Sequence, residues 1–279
     1  MSAPSAVPAR LSGVTPALLL AAAGMAVLTA HAALAMDRYD ALSFVWLSLA
    51  HGAAYAIAVA VVLRGGARVS DLALILAVAL ILRGMAMTTA PGLSTDIFRY
   101  VWDGRLTLAG VSPYLHIPAD PQLAAFRDPA IFPHINQRET AYTIYPPVAQ
   151  LVFAAGAWLD QLVGTATDAG HNGMKLVMLV AEAAIVWGLV CWLDAARLPR
   201  ERALIYAWHP LPLWEFAGQA HIDAAATALL VLAIAAAVRA RQGIAGGLLA
   251  AAALVKYFPV ALAPALWRRW DWRLPAAFA

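Results

Sequence analysis

Two aspartates near the middle of the chain, Asp96 and Asp103, are seven residues apart, which is about two turns of an α-helix. If residues 96–109 are helical, both carboxylates share one face, and Arg99 lies between them on that face. Ionised carboxylates accept protons and a guanidinium stabilises negative charge, so this face carries the groups for acid–base chemistry on a charged substrate. The alternative is a solvated amphipathic helix whose acids cap its first turn and do no chemistry.

A second set of polar groups lies between apolar runs later in the chain. Glu215, His221 and Asp223 fall within HPLPLWEFAGQAHIDAAAT, and Lys256 falls within LVKYFP. Ionisable groups at membrane depth cost several kcal/mol unless they are paired or hydrated, so each is a functional candidate. The alternative for each residue is an internal ion pair, such as Lys256 with Glu215. Arg83, within the apolar run LILRGMAM, is a further candidate; it either pairs with an acid or extends its head group to the interface. Together these residues predict a polar cavity.

The elements that must position these residues are membrane helices. The chain is 63% hydrophobic and only 13% charged, and its mean hydropathy is +0.72. A membrane-spanning helix needs roughly 20 apolar residues. The candidate runs are 14–35, 41–63, 71–90, 173–194 and 243–267, with shorter ones at 145–163, 203–219 and 222–238. These runs show no period-2 alternation, so they predict α-helices and not a β-barrel. We expect an all-α bundle of seven or eight membrane segments that forms one transmembrane domain over 1–279.

The placement of charge argues against a nucleic-acid partner, although the net charge is +3. The arginines form short clusters between apolar runs, which is the pattern of cytoplasmic loops in membrane proteins. These clusters are Arg64 and Arg68; Arg197, Arg200 and Arg202; Arg239 and Arg241; and Arg268, Arg269 and Arg273. The lone Cys191 lies within an apolar run, which excludes a disulfide framework and a thiolate metal site.

The same rule predicts the topology. With Arg10 inside and 14–35 retained as a helix, three crossings place the loop at 91–144 outside the cytoplasm, with an interfacial helix over 96–109. If 145–163 then crossed fully, the cluster at 197–202 would lie on the wrong side. We therefore expect 145–163 to be a short helix that enters from the outer side. The run at 243–267 has basic residues at both ends. The sequence does not decide whether it forms two half-helices that meet at a break or one crossing that violates the charge rule.

These segments resemble a known family. The runs TDIFRYVWDGR, AGVSPY and TIYPP resemble the first extracytoplasmic loop of C-fold glycosyltransferases, more narrowly of bacterial polyprenol-phosphate-mannose-dependent mannosyltransferases. They are also similar to the catalytic subunit of the eukaryotic GPI mannosyltransferase I. AWHPLPLWEFAGQAHIDA is similar to the family's NPL…E…GHND pattern, and LVKYFP to its Lys-aromatic-Pro segment. The matching features run in order from about 94 to 260.

The resemblance implies an enzyme of the bacterial cytoplasmic membrane with an outward-facing site. It would transfer a hexose, here mannose, from a polyprenyl phosphate donor to a hydroxyl of a glycan or glycolipid acceptor, with membrane lipid around it. Asp96 would be the general base or a ligand to Mg²⁺ or Mn²⁺, and Asp103 the second catalytic acid. Phe98 stands where the eukaryotic relatives carry the second acid of an acid-X-acid motif, so the dependence on a metal remains open. The residues implied in donor and substrate binding are Arg99, Tyr100, Arg105, Tyr114, Tyr145, Glu215, His221, Asp223 and Lys256.

Two other classes of function share some of these features. A transporter or lipid flippase also places ionisable residues in broken membrane helices. A non-catalytic membrane partner is the other alternative, because the chain stops at the start of a further apolar run and is expected to be shorter than its relatives. Substituting Asp96 distinguishes these classes, since only a transferase loses turnover while keeping donor binding.

Overall fold

The computed structural model describes residues 15–35, 41–65, 68, 70–163 and 171–279. Arg10 and the predicted helix start at residue 14 lie outside these residues. The described chain is all-helical, as its composition predicts. Three of its helices are long and apolar enough to cross a membrane by length and composition, Pro16–Leu34, Ala41–Leu63 and Asn172–Ala195; Asp223–Val238 and Gln242–Ala253 are shorter apolar helices.

The α-helices are, in chain order, α1 (Pro16–Ala35), α2 (Ala41–Leu63), α3 (Asp71–Met87), α4 (Asp96–Leu108), α5 (Pro147–Val163), α6 (Asn172–Ala195), α7 (Leu204–Ala207), α8 (Pro210–Pro212), α9 (Asp223–Val238), α10 (Gln242–Ala253), α11 (Ala263–Leu266) and α12 (Arg273–Phe278). Short 3-10 helices cover Pro121–Phe126, Phe132–His134, Arg200–Ala203 and Phe258–Leu262, and a π-helical turn covers Leu213–Gly218. The helices predicted from the sequence over the first three runs, 96–109 and 173–194 are confirmed to within a few residues.

Contacts between α3 and α6 define two ends of the molecule. Lys175, in the first turn of α6, donates hydrogen bonds to the carbonyls of Met87 and Thr89 at the end of α3, at 3.0 and 2.5 Å. Earlier in α3, Arg83 pairs with Glu182, which lies further along α6, so the two helices run antiparallel. We call this end of the bundle, where the 88–146 segment lies, the loop end. The opposite end, where α6 finishes beside Arg197–Arg202, is called the arginine end.

The helix α5 has both of its ends at the loop end. The backbone amides of Val148 and Ala149 donate to the carbonyl of Leu254, and near its other end Asp160 accepts a hydrogen bond from the amide of Gly173, at 2.7 Å. Gly173 lies in the first turn of α6. The helix at 147–163 therefore does not run the full length of the bundle, and its entry into the membrane from the outer side stays a prediction.

The run at 203–219 passes from the arginine end to the loop end as a broken chain, and the expectation of one helix there is wrong. Pro210 and Pro212 have no backbone N–H to donate, so a continuous helix cannot form across them. Midway, the carbonyl of Ala207 accepts a hydrogen bond from the buried Arg83 at 2.7 Å. Beyond the π-helical turn, Gly218 lies beside Thr89.

The run at 243–267 is two shorter pieces that turn back on themselves. The first is α10, and the chain leaves helical geometry around Lys256 before continuing through the 3-10 helix at Phe258–Leu262 and α11. The amide of Arg268 then donates to the side chain of Gln242 at 3.3 Å, which returns the chain to the start of α10. Both basic flanks are therefore at the arginine end, and the conflict with the charge rule disappears.

Candidate active site

The carboxylate of Asp96 lies at the start of α4, partly exposed at the loop end. Its backbone amide donates to the hydroxyl of Ser94 at 3.1 Å, and its side chain accepts a hydrogen bond from the Asn136 amide at 2.9 Å. Asn136 belongs to the long loop, 40 residues further along the chain. The carboxylate keeps one oxygen outside this hydrogen bond, so it can accept a further proton or hydrogen-bond donor.

Asp103 shares the face of α4 with Asp96, but it has a different environment. It is fully buried and accepts hydrogen bonds from Arg99 at 2.9 Å and from Gln150 at 3.4 Å. Burial raises the pKa of Asp103, against the opposing effect of the Arg99 guanidinium. Arg99 also donates to the carbonyl of Ala141 at 3.0 Å. Asp103 and Arg99, predicted as a catalytic acid and a binding residue, therefore fix the loop that leads into Tyr145.

Three tyrosines named by the sequence form one wall beside Asp96. Tyr100 is buried, stacks on Phe153 with ring centroids 4.6 Å apart, and forms a backbone hydrogen bond with Ile222. Tyr145 packs edge-on against Tyr100 at 5.1 Å, and the hydroxyl of Tyr114 donates to the Tyr145 carbonyl at 2.7 Å. Burial raises the pKa of Tyr145 to about 12, so this phenol stays protonated at neutral pH. The wall offers apolar ring faces and neutral hydroxyls.

A second wall, next to the first, comes from the corner between the π-helical turn and α9. The imidazole Nδ1 of His221 lies 2.7 Å from a carboxylate oxygen of Glu215. This hydrogen bond raises the pKa of His221, and the negative charges of Glu215, Asp96 and Asp223 raise it further. Its Nε2 is buried without a hydrogen-bond partner among the residues that the structure describes. A short π-helix often marks a functional site, and here it places Glu215 against His221.

The cation of this wall is Lys256, which lies at the tip of the 243–267 hairpin. Its ammonium group is 2.8 Å from both carboxylate oxygens of Asp223. The alternative of internal ion pairs is therefore correct for these residues, but its example of Lys256 with Glu215 is wrong, because Glu215 pairs with His221. The side chain of Lys256 is 47% exposed, so it can also reach an anion in solvent.

Gln219 joins the two walls, and the sequence reasoning did not include it. Its side-chain oxygen accepts hydrogen bonds from the amides of Gly92, Leu93 and Ser94, at 2.9, 3.0 and 3.4 Å. These residues lead directly into Asp96. The link brings the 215–223 corner beside the start of α4.

Other residues also differ from expectation. Arg105 pairs with Asp128 of the long loop at 2.6 Å, and its role in donor binding stays a prediction. Lys175 and Glu182 were missed, although charge within the apolar run 173–194 was a visible signal. Glu182 forms the ion pair with Arg83, at 2.6 Å. Arg83 therefore pairs with an acid, which is one of the two alternatives that the sequence left open.

The residues around Asp96 do not by themselves make a divalent metal site. No group of three His, Cys, Asp or Glu side chains lies together in the described residues. Phe98 is buried against the rings of His134 and His171, with centroids 4.8 and 6.0 Å apart. Magnesium prefers oxygen ligands in octahedral geometry, and the protein offers the carboxylate of Asp96 and the amide of Asn136 here. The dependence on Mg²⁺ or Mn²⁺ stays a prediction.

The comparisons with known proteins point to one family. Residues 10–270 match a family model described as alpha-(1->6)-mannopyranosyltransferase, N-terminal domain, of the MptA/B family. No curated protein and no solved structure matches the chain. The match covers nearly all of the chain, including both walls of the site. The chain therefore belongs to the MptA/B family of multi-pass membrane mannosyltransferases, which take mannose from a polyprenol-phosphate-mannose donor.

Proposed function

We propose that this mannosyltransferase joins mannose to a hydroxyl of a mannan acceptor outside the cytoplasm, with Asp96 as the general base. One observation carries the proposal: Gln219 ties the start of α4, with the partly exposed carboxylate of Asp96, to the corner that holds the protonatable His221 and the cationic Lys256. A carboxylate supplies a proton acceptor, and the facing groups supply positive charge for a leaving phosphate. We infer that the product linkage is α-1,6, as in the description of the matching family.

The orientation follows from the two ends of the bundle. Arginines are enriched on the cytoplasmic side of membrane proteins. The arginine end carries five arginines and two acids within 194–202 and 239–241. A 24-residue helix is about 36 Å long at 1.5 Å per residue, so α6 is long enough to separate the arginine end from the loop end across a membrane. We infer that the loop end, with 91–144 and α4 along the interface, faces outward in a bacterial cytoplasmic membrane.

The same inference gives a C-fold arrangement with eight passes. Four are α1, α2, α3 and α6, and the others are the broken segment at 203–219, α9, α10 and the return through 258–268. Helix α5 stays at the outer side. Broken backbone at membrane depth is tolerated where neighbouring helices and side chains satisfy its polar groups.

The reaction is a single displacement. The acceptor hydroxyl gives its proton to Asp96 as its oxygen bonds to C1 of mannose, and the bond from C1 to the phosphate oxygen breaks with its electron pair going to the phosphate. The positive charges of the protonated His221 and of Lys256 stabilise the negative charge that develops there. Attack on the face opposite the leaving group inverts C1, so a β-linked donor gives an α-linked product. Tyr114 and Tyr145 line the sugar with ring faces and hydroxyls, and the buried Tyr100 supports Tyr145 from behind.

The test is transfer of radiolabelled mannose from polyprenyl phosphate mannose in membranes that contain the full chain. Asp96→Asn keeps the hydrogen bond to Asn136 but cannot accept the proton, so we expect transfer to fall roughly 10²- to 10⁴-fold while donor binding persists. Asp120→Asn is the matched control, because this loop carboxylate already bonds His116 at 2.8 Å. Wild-type transfer by Asp96→Asn would overturn the assignment of the base. A loss of donor binding would place Asp96 in binding instead.

A further inference from the structure

An apolar groove lies at the arginine end, far from the candidate active site. It has a volume of about 270 Å³ and lies between the last turns of α6 and the start of the broken segment. Trp192, Leu193 and Ala196 line it from α6, and Ile205 lines it from α7. Small-molecule sites in proteins are typically about 300–1,000 Å³, so this groove suits part of one hydrocarbon chain better than a whole soluble ligand.

One charged side chain, Arg202, lines this groove. The Nε of Arg202 is buried and has no hydrogen-bond partner within the described part of the chain, and no carboxylate forms a salt bridge with this guanidinium there. The neighbouring Arg200, in contrast, is bonded to Asp194 at 2.5 Å. A guanidinium with an unused donor binds phosphate well, because its planar fork can make two parallel hydrogen bonds.

The surroundings favour an anion held at the membrane surface. Five arginines and two acids occur within 194–202 and 239–241, and Arg239 donates to the carbonyl of Cys191 at 3.2 Å, which draws the second cluster to the end of α6. Trp192 is partly exposed beside the groove, as is typical of residues at the head-group level of a bilayer. Anionic lipids in the cytoplasmic leaflet attract such basic segments.

We propose that this groove, together with Arg202, is a binding site for an anionic phospholipid. One acyl chain lies against Trp192, Leu193 and Ile205, and the phosphate of the head group accepts hydrogen bonds from the Arg202 guanidinium. The bound lipid holds the end of α6 to the turn at 200–203 on the side of the membrane opposite the active site. This site is independent of the sugar donor and of the role assigned to Asp96.

The experiment measures lipid binding to the purified full chain in a zwitterionic detergent by native mass spectrometry. The probes are phosphatidylglycerol, phosphatidylcholine and soluble glycerol 1-phosphate. We expect phosphatidylglycerol to bind at least tenfold more tightly than the other two. Arg202→Gln should abolish the preference for phosphatidylglycerol over phosphatidylcholine, and Ala196→Phe, which fills the groove at an exposed position, should weaken both lipids.

Arg200→Gln is the matched control, because it removes one arginine two residues away whose guanidinium already has a carboxylate partner. It should change the affinity for phosphatidylglycerol less than threefold. If Arg202→Gln kept the full preference for phosphatidylglycerol over phosphatidylcholine, the proposal would be overturned. Glycerol 1-phosphate binding as tightly as phosphatidylglycerol would also overturn it, because the groove would then contribute nothing to the affinity. Unchanged melting temperatures of the three variants in detergent show that they are folded.

Discussion

The side-chain oxygen of Gln219 lies 2.9 Å from the backbone nitrogen of Gly92, although 127 residues separate them along the chain. It is also 3.0 Å from the nitrogen of Leu93, and Gln219 is almost fully buried. A single acceptor thus satisfies successive amides that have no helical partner. The segment that carries Asp96 is held in place by the wall that carries His221.

Gln219→Met tests this link, because methionine has a similar size but cannot accept the hydrogen bonds of the amides. Leaving these partly buried amides without an acceptor costs at most about 1–3 kcal/mol, and Asp96 is then less well positioned. We expect kcat for mannose transfer to fall at least tenfold with little change in KM for the donor. Gln122→Met, on an exposed helix of the loop, should change neither value. A wild-type kcat for Gln219→Met would show that the hydrogen bonds do not position Asp96.

The pH dependence of transfer should report His221. Its pKa is raised above the ordinary value of 6.5 by its hydrogen bond with Glu215, so the imidazolium persists above that pH. A raised pKa means that the pair contributes stability below pH 6.5 and loses it as the pH rises through the higher, folded-state value. We expect kcat/KM to decline on the basic side as the proton leaves. Glu215→Gln should move this decline to lower pH.

The measurement is kcat/KM against pH for the wild type and Glu215→Gln in the same lipid. Asp223→Asn is a useful comparison. The charge of the Asp223 carboxylate also raises the pKa of His221, but its effect is the smallest of those on this imidazole. It should shift the basic decline less than Glu215→Gln does. Identical profiles for wild type and Glu215→Gln would contradict a role for the protonated imidazole.

The buried ion pair between Arg83 and Glu182 predicts an asymmetry in stability. Arg83 is 4% exposed and Glu182 is fully buried, so removal of one partner leaves a buried charge unpaired. We expect Glu182→Gln and Arg83→Met each to cost about 3–5 kcal/mol of unfolding free energy, and the double variant to cost less than the sum. Unfolding followed by circular dichroism in detergent with added denaturant provides the values. Strict additivity would contradict a direct pairing.

Helix α4 packs against α5 through Gly104. A Cβ atom at this position would meet the carbonyl oxygen and carbon of Phe153, which belong to the backbone and cannot move aside. We therefore expect Gly104→Ala to lower the melting temperature by several degrees. Gly84→Ala in α3 is the matched control, because a Cβ there meets nothing within 4 Å and alanine is the better helix former. Equal melting temperatures for the two variants would show that α4 and α5 do not pack closely at Gly104.

The sequence by itself determined the membrane class, most helix positions and the two groups of polar residues. These follow from the lengths of apolar runs, from arginine placement and from local helical spacing, all of which act over short stretches of chain. The spacing of Asp96, Arg99 and Asp103 correctly placed them on one helix. The resemblance to polyprenol-phosphate-mannose-dependent enzymes agrees with the family match over residues 10–270.

Only the tertiary structure decided which polar groups meet. Lys256 pairs with Asp223 and not with Glu215, Arg83 pairs with Glu182, and Asp103 is buried while Asp96 is not. Such choices depend on contacts between residues far apart in sequence, where any of several partners satisfies the same charge. The path of the run at 243–267 also depends on contacts distant in sequence. Packing against α9 and the hydrogen bond from the Arg268 amide to the Gln242 side chain turn this run back on itself. No local sequence pattern encodes these contacts.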